Sequence, residues 1–159
     1  MKLAKTEKAV FAAGCFWGVE DIFSKVPGVK GTRAGYTGGH TANPGYEQVC
    51  SDRTGHAEAV EIEFDPSKVS YEKLLELFWK LHDPTQENRQ GPDVGSQYRS
   101  AVFYHNEKQR ELAEKSKKAL EKSGKFGKPI MTQIVAAKEF FEAEDYHQKY
   151  VQKHRIAIC

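Results

Sequence analysis

Cys15 has the sequence setting of a reactive thiol. It lies between Gly14 and the aromatic pair Phe16 and Trp17, directly after an apolar stretch that predicts a strand and at the start of a predicted helix. Unpaired N–H groups and the helix dipole stabilise an anion at this end of a helix, so we expect the pKa of the thiol to be lowered. Thiolate is the reactive form, which makes Cys15 a candidate nucleophile. The alternative is a small apolar residue that fills the core.

Glu58 is the candidate acid. It shares one face of an alternating stretch, residues 57–64, with Val60, Ile62 and Phe64. An ionised carboxylate is costly on an apolar face, so burial should raise the pKa of Glu58 and allow it to give a proton to a substrate oxygen. The alternative is that Glu58 sits at a frayed strand end and reaches water.

The other two cysteines have weaker settings. Cys50 lies between a turn and a polar stretch, where a structural role is expected. Cys159 ends the sequence, and a tail thiol there either swings onto a sulfur at position 15 or is an exposed leftover. No CxxC pair is present, which argues against a zinc finger or a disulfide framework.

Further candidates surround these groups. Phe16 and Trp17 either wall an apolar pocket beside the thiolate or pack in the core. Three polar residues lie in or beside predicted loops, where they are available to a site or simply belong to surface turns: Tyr46, Asp93 and Tyr98.

The histidines give no metal signature. The six histidines lack closely spaced metal patterns such as HExxH, while their spacing leaves a Cys–His protease dyad open. His56 and His147 are the two candidate functional histidines, and the alternative is that each lies in a turn or on a helix surface.

The elements that must position these residues alternate along the chain. Strands are predicted at about residues 8–13, 29–36, 57–64, 98–105 and 130–136, and helices at about 15–26, 70–82, 107–123 and 143–153. Ser70 and Asn106 are expected N-caps, with Gln109 completing a capping box and Gly124 ending its helix. This order predicts an α+β, two-layer sandwich with a split βαβ (ferredoxin-like) core sheet and extended loops.

Length and charge narrow the class of protein. The chain has 159 residues, and 24 basic against 22 acidic residues give a net charge of +2. One domain spanning 1–159 is therefore expected, without a nucleic-acid or anionic-membrane partner. The first eight residues lack a secretory core, and the longest apolar run, residues 9–19, is too short for a membrane span. We expect a cytoplasmic monomer.

Five separated motifs resemble those of the peptide methionine sulfoxide reductase A family. They occur in the family's order and span nearly the whole chain: GCFW at 14–17, YEQVC at 46–50, GHAE at 55–58, DVGSQYRS at 93–100 and EDYHQ at 144–148.

This resemblance implies a methionine-S-sulfoxide reductase with an α+β core. Cys15 matches the catalytic cysteine and Glu58 the proton donor. By the same match, Phe16 and Trp17 hold the substrate methyl group. Three further residues bind or position the sulfoxide oxygen: Tyr46, Asp93 and Tyr98.

The resemblance also implies how the thiol is regenerated. A Cys15 sulfenic acid would be resolved by Cys159 to a disulfide that thioredoxin, or dithiothreitol in vitro, reduces. The substrates would be oxidised proteins, peptides or free methionine sulfoxide, with no bound cofactor. Where family tails commonly carry a glycine before the resolving cysteine, this chain has His154-Arg155-Ile156-Ala157-Ile158.

Two other classes of protein compete with this interpretation. A thiol peroxidase or disulfide oxidoreductase also uses a cysteine of low pKa, but gains nothing from a methyl pocket and a buried acid. A peptide-binding module with Cys15 as a core residue predicts slow alkylation of that thiol by iodoacetamide near neutral pH.

Overall fold

The computed structural model describes residues 5–154, so Cys159 lies outside the described residues. Its elements, in chain order, are β1 (Glu7–Ala13), α1 (Phe16–Ser24), β2 (Val29–Thr37), α2 (Tyr46–Cys50), β3 (Ala57–Phe64), α3 (Tyr71–Lys80), β4 (Arg89–Gln90), β5 (Asp93–Val94), β6 (Ser100–Tyr104), α4 (Glu107–Ser123), β7 (Gln133–Ala136), β8 (Phe141–Glu142) and α5 (Tyr150–His154). Two 3₁₀ turns are at Ser96–Tyr98 and Asp145–His147. A mixed sheet combined with helices confirms the α+β class.

A six-stranded sheet in the order β7-β6-β1-β3-β2-β8 forms the centre of the protein. Strand β1 lies between β3 and β6 and is antiparallel to both, as β2 is to β3 and to β8. Within the described chain, β6 and β7 form the sheet's parallel pair. The short strands β4 and β5 form a separate hairpin.

Helices α1, α3 and α4 pack on one face of this sheet. Their apolar side chains join those of alternate strand residues in a single core that includes Phe11, Phe23, Ile62 and Phe78. The opposite face carries a smaller apolar cluster with Phe103 at its centre, against which Phe140 packs. Both faces are therefore covered, which explains why β3 is buried on both sides over residues 57–60 instead of being half-buried as its alternation suggested.

Local signals predicted several element ends correctly. The Ser70 hydroxyl accepts from the Lys73 N–H at 3.1 Å, and the Asn106 side chain accepts from the Gln109 N–H at 2.9 Å. Gly124 ends α4 with a φ of +70°, in the left-handed region that favours glycine. The Gln109 side chain, however, accepts from the N–H of His105 rather than from that of Asn106, so the capping box is displaced by one residue.

The predicted helix over residues 143–153 is wrong. The segment follows directly after strand β8 and continues through the 3₁₀ turn at Asp145–His147, and α5 begins only at Tyr150. Lys149, just before α5, has a φ of +55°. Tertiary bonds replace helical ones here. The Gln148 side chain accepts from the N–H of Ala34 at 2.8 Å and donates to its carbonyl at 2.9 Å, and the Lys149 N–H donates to Glu20 at 2.8 Å.

The strand predicted at 98–105 also differs at its start, because residues 96–98 form a 3₁₀ turn and β6 begins at Ser100. Among residues 5–154, no helix is long and apolar enough to cross a membrane.

Candidate active site

The turn between β1 and α1 places Cys15 at the N-cap of α1. Gly14 makes this turn with a φ of +91°, and a Cβ atom there would lie 2.9 Å from the side chain of Gln90. Glycine is therefore required by both backbone conformation and space. Cys15 itself is partly exposed, so a substrate can reach it.

Glu58 is 1% exposed and lies beside the start of the same helix. One carboxyl oxygen accepts from the N–H of Phe16 at 3.2 Å, and the other accepts from Nε2 of Gln97 at 3.1 Å. Burial raises the pKa of Glu58 to about 7, against the lowering effect of these two donors, and the charge of Asp93 raises it further. The carboxyl group can therefore both hold and release a proton near neutral pH.

Phe16 and Trp17 form an aromatic wall with residues from the other end of the chain. The Phe16 ring is buried 5.1 Å from the ring of His147. The Trp17 indole stacks on Tyr150 at 3.8 Å, and its N–H donates to Nδ1 of His147 at 2.8 Å. The indole is therefore held both by stacking and by a hydrogen bond.

His147 lies in the 3₁₀ turn at Asp145–His147, so its interpretation as a turn residue is correct. It is fully buried, so the alternative of a helix-surface position is wrong. Because Nδ1 accepts from Trp17, the proton of the neutral ring is on Nε2. Burial lowers the pKa of His147, which keeps the ring neutral, although the charge of Glu144 acts in the opposite sense. The ring therefore serves as a neutral hydrogen-bond acceptor.

His56 supports a loop rather than the reaction. Its Nδ1 accepts from the N–H of Gly39 at 3.0 Å, and its Nε2 lies 2.6 Å from the carbonyl oxygen of Thr41. These two bonds hold the loop between β2 and α2. The Cys–His protease dyad left open by the sequence gains no support from His56.

Tyr46 and Tyr98 supply polar groups to the same site. Burial raises the pKa of Tyr98, and the charge of Glu58 raises it next, with further contributions from Asp93 and Cys15. Burial also raises the pKa of Tyr46, followed by a hydrogen bond with the Cys50 side chain. Both phenols therefore remain protonated near neutral pH, and their hydroxyls can donate to an oxygen atom.

Asp93 lies in the hairpin formed by β4 and β5. A cavity of about 190 Å³ has Cys15 and Asp93 in its lining, together with apolar side chains of Val19, Ile22 and Leu81. The structure thus brings Asp93 to the thiol from a segment more than seventy residues away in sequence.

Two residues with contacts in the site were not singled out from the sequence. Gln97 bonds to Glu58, and Glu144 accepts from the Tyr36 hydroxyl at 3.0 Å and from the N–H of Tyr46 at 2.9 Å. Each lies inside one of the five motifs, Gln97 in that at 93–100 and Glu144 in that at 144–148, and this was the available signal. Within the described part of the chain, no group of three His, Cys, Asp or Glu side chains is arranged to hold a metal ion.

Known proteins resemble this chain over almost its full length. The family model for peptide methionine sulfoxide reductase matches residues 7–159. The peptide methionine sulfoxide reductase MsrA of Methanosarcina acetivorans is 62% identical over 147 residues, covering 92% of this chain and 78% of that protein.

Two crystal structures of Mxr1 from Saccharomyces cerevisiae are also similar. The reduced form has a TM-score of 0.91 at 33% identity, covering 99% of this chain and 91% of that one. The complex with Trx2 has a TM-score of 0.66 at 26% identity, covering 94% and 87%. With a family match from residue 7 to residue 159 and relatives of this identity, the chain belongs to the peptide methionine sulfoxide reductase family.

Proposed function

We propose that this protein reduces methionine-S-sulfoxide, free or within peptides and proteins, with Cys15 as nucleophile and Glu58 as proton donor. The observation that carries the proposal is the bond of 3.2 Å between the Glu58 carboxylate and the N–H of Phe16, the residue after Cys15. It fixes a buried acid beside a thiol at a helix N-cap. Such a pair suits attack on a polarised S–O group.

The first half-reaction transfers one oxygen atom. The Cys15 thiolate attacks the sulfoxide sulfur to form an S–S bond while Glu58 protonates the sulfoxide oxygen. The S–O bond then breaks, the OH group passes to the Cys15 sulfur and the S–S bond breaks, which releases methionine and leaves a sulfenic acid on Cys15. Two electrons pass from the Cys15 sulfur to the methionine sulfur, so the Cys15 sulfur is oxidised and the methionine sulfur is reduced. Without the proton, the departing oxygen would carry a full negative charge in a buried site.

The remaining site residues are assigned to binding. Phe16 and Trp17 form the apolar wall that would receive the S-methyl group. Tyr46 and Tyr98 would donate to the sulfoxide oxygen, and Asp93 would position it directly or through water. The protonated state of both phenols supports this assignment.

Regeneration requires a second thiol. We assign this role to Cys159, which would attack the sulfenic acid, release water and form a disulfide with Cys15. Thioredoxin would then reduce this disulfide, and the crystal structure of Mxr1 with Trx2 supports that class of partner. Dithiothreitol would substitute in vitro.

Other features of the protein follow from the same proposal. The enzyme would work as a cytoplasmic monomer of one domain, with no bound cofactor. We also propose that its core is of the split βαβ, ferredoxin-like type, because β1 and β2 lie on either side of β3 and are antiparallel to it.

The decisive experiment is a single-turnover assay with the two separated epimers of a methionine sulfoxide peptide. We expect the wild-type protein to form one equivalent of methionine from the S epimer without added reductant, and Cys15→Ser to form none. Equal activity on both epimers, or product formation by Cys15→Ser, would contradict the proposal. Hydrogen peroxide as an alternative substrate distinguishes a thiol peroxidase.

The resolving thiol needs a separate test. Cys159→Ser should retain the first turnover and lose cycling with thioredoxin, because the sulfenic acid then has no internal partner. Mass mapping of the oxidised wild-type protein should show a Cys15–Cys159 disulfide. Normal cycling by Cys159→Ser would assign the role to another thiol.

A further inference from the structure

We infer that Gln97 is a positioning residue, which fixes the carboxyl group of Glu58 with one hydrogen bond and sets the acidity of that group. Residue type alone offers no chemical reason to select Gln97, because an amide neither titrates nor acts as a nucleophile. Its importance rests on what it contacts. The consequence for turnover rests on the proposed function, whereas the effect on Glu58 does not.

The geometry fixes the direction of the Gln97 amide. Gln97 is 3% exposed, and its Nε2 lies 3.1 Å from a Glu58 oxygen and 3.4 Å from Sγ of Cys50. An amide nitrogen carries two hydrogens, so each of these acceptors receives one. The flipped amide would place its oxygen against the Glu58 carboxylate and lose the bond to its charged form, so the donor side faces Glu58.

The backbone around Gln97 is held from two directions. The Asp52 carboxylate, just after α2, accepts from both the hydroxyl and the N–H of Ser96. Nη1 of Arg99 donates to the Ser96 carbonyl at 2.9 Å. The turn that carries Gln97 is thus attached to the end of α2, the helix that carries Tyr46 and Cys50.

Several other ionisable groups interact electrostatically with Glu58. Its charge contributes to raising the pKa of three tyrosines, which are therefore neutral near pH 7: Tyr36, Tyr46 and Tyr98. Asp93 raises the pKa of Glu58. Cys15 and Cys50 act electrostatically on Tyr98, within the same cluster.

Gln97 and the Phe16 N–H therefore oppose burial. Both stabilise the charged form of Glu58, whereas burial and Asp93 stabilise the neutral form. Their balance gives a pKa of about 7, at which the group gives up a proton and regains it readily. Without Gln97, Glu58 would be protonated more often but would be a weaker acid with a less defined orientation.

A direct titration of Glu58 tests this inference without turnover. Protein labelled with ¹³C at the glutamate carboxyl, in a Cys15→Ser background, gives the pKa of Glu58 by NMR, and the resonance absent from Glu58→Gln identifies it. Gln97→Met keeps the length of the side chain and removes both donors. We expect this change to raise the pKa of Glu58 by about one unit.

Gln109→Met is the matched control. Gln109 is likewise buried and bonded through its amide, to Lys8 and His105, but it has no contact with Glu58. The control should leave the pKa of Glu58 unchanged. An equal shift in both variants, or no upward shift in Gln97→Met, would overturn the inference.

Gln97→Leu is the second variant, for use if Gln97→Met does not fold. It also removes both donors and adds no charge, so the pKa of Glu58 should rise here as well. An unchanged or lower pKa in this variant would also overturn the inference.

The kinetic consequence is measured separately, in protein with Cys15 present. Gln97→Met should reduce the single-turnover rate at pH 7 about tenfold, with little change in the substrate concentration that gives half the maximal rate. A shifted pKa in protein that reduces no sulfoxide would leave the inference standing and refute the proposed function.

Discussion

Glu58 and Glu144 show how one residue type acquires two behaviours in the same site. Burial raises the pKa of Glu58 to about 7 despite its two donors. For Glu144, burial acts in the same sense, but the Tyr46 N–H and the Tyr36 hydroxyl prevail and lower its pKa. Glu144 therefore stays charged and anchors Tyr46, while Glu58 alternates between forms. This separation of pKa values supports the proposed role of Glu58 as the acid.

The role of Glu58 predicts a specific loss of rate. Glu58→Gln has nearly the same shape but cannot deliver a proton, so the single-turnover rate should fall by about 100-fold or more, with the fold retained. Quenched-flow measurement of methionine release and a circular dichroism spectrum check the two parts. Glu61→Gln, on the opposite face of the same strand, is the control and should keep the wild-type rate. An unchanged rate for Glu58→Gln would remove Glu58 from the mechanism.

Individual residues were the most predictable level of the site. Cys15 and Glu58 could be selected because each breaks a local rule, a thiol at a helix start and a carboxylate on an apolar strand face. Gln97 could not be selected, because its partner Glu58 is 39 residues away. His147 was a candidate, but its role could not be predicted because its partner Trp17 is 130 residues away. No periodicity or spacing encodes such contacts.

At the scale of elements, the turn between β1 and α1 controls the position of the thiol. Gly14→Ala should lower the free energy of unfolding by about 2 kcal/mol, since its φ of +91° and its contact with Gln90 both oppose a Cβ atom. Activity should fall as well, because relieving the contact displaces Cys15. Urea denaturation and the single-turnover rate measure the two effects.

Gly124→Ala provides the comparison. Gly124 also has a positive φ, of +70°, but no atom lies within 4 Å of the added Cβ. This variant should lose about 1 kcal/mol of stability and no activity. Equal losses of activity in the two variants would show that the position of the β1–α1 turn is not what matters.

The accuracy of element prediction followed the range of the interactions involved. The N-caps at Ser70 and Asn106 are local, and the structure confirms them. The helix expected over 143–153 failed because the Gln148 side chain bonds to β2 and the backbone N–H of Lys149 bonds to Glu20 of α1, instead of forming helical bonds. The strand order likewise depends on long-range pairing that the sequence does not display.

At the scale of the whole molecule, the site exists only when distant segments meet. The aromatic wall joins the start of α1 to residues 147–150, and that junction is secured by Glu20. This carboxylate is 1% exposed and accepts from the N–H and the Nζ of Lys149, while also accepting from the Thr32 hydroxyl. One buried charge therefore ties α1, β2 and the segment before α5 together.

Two ionisable groups give opposite pH dependences to the stability of the whole fold. His82 bonds to the Phe78 carbonyl and to Ser100 at 2.7 Å each, and burial lowers its pKa from 6.5 to about 4. As the pH falls from 7 to 5, His82 is protonated in the unfolded state but stays neutral in the folded state, so the free energy of unfolding falls. At Glu58, with a pKa of about 7 against 4.5, the folded state takes up the proton and stability rises.

Each effect is on the order of 2 kcal/mol, so the wild-type stability should change little across this window. Removing one group exposes the other. Glu58→Gln should become less stable as the pH falls from 7 to 5, and His82→Gln more stable. Urea midpoints at the two pH values measure this, and slopes of the same sign in both variants would contradict the assignment.

The stacking of Trp17 on Tyr150, with its N–H bonded to His147, also makes the site observable by light. The chain contains two tryptophans, and the second, Trp79, lies in α3 and bonds to Ser116. In a Trp79→Phe protein, the emission of one indole would report on the aromatic wall alone. Binding of a thioether to the aromatic wall, or separation of the Trp17 indole from Tyr150, would then change the fluorescence intensity and the emission maximum in real time.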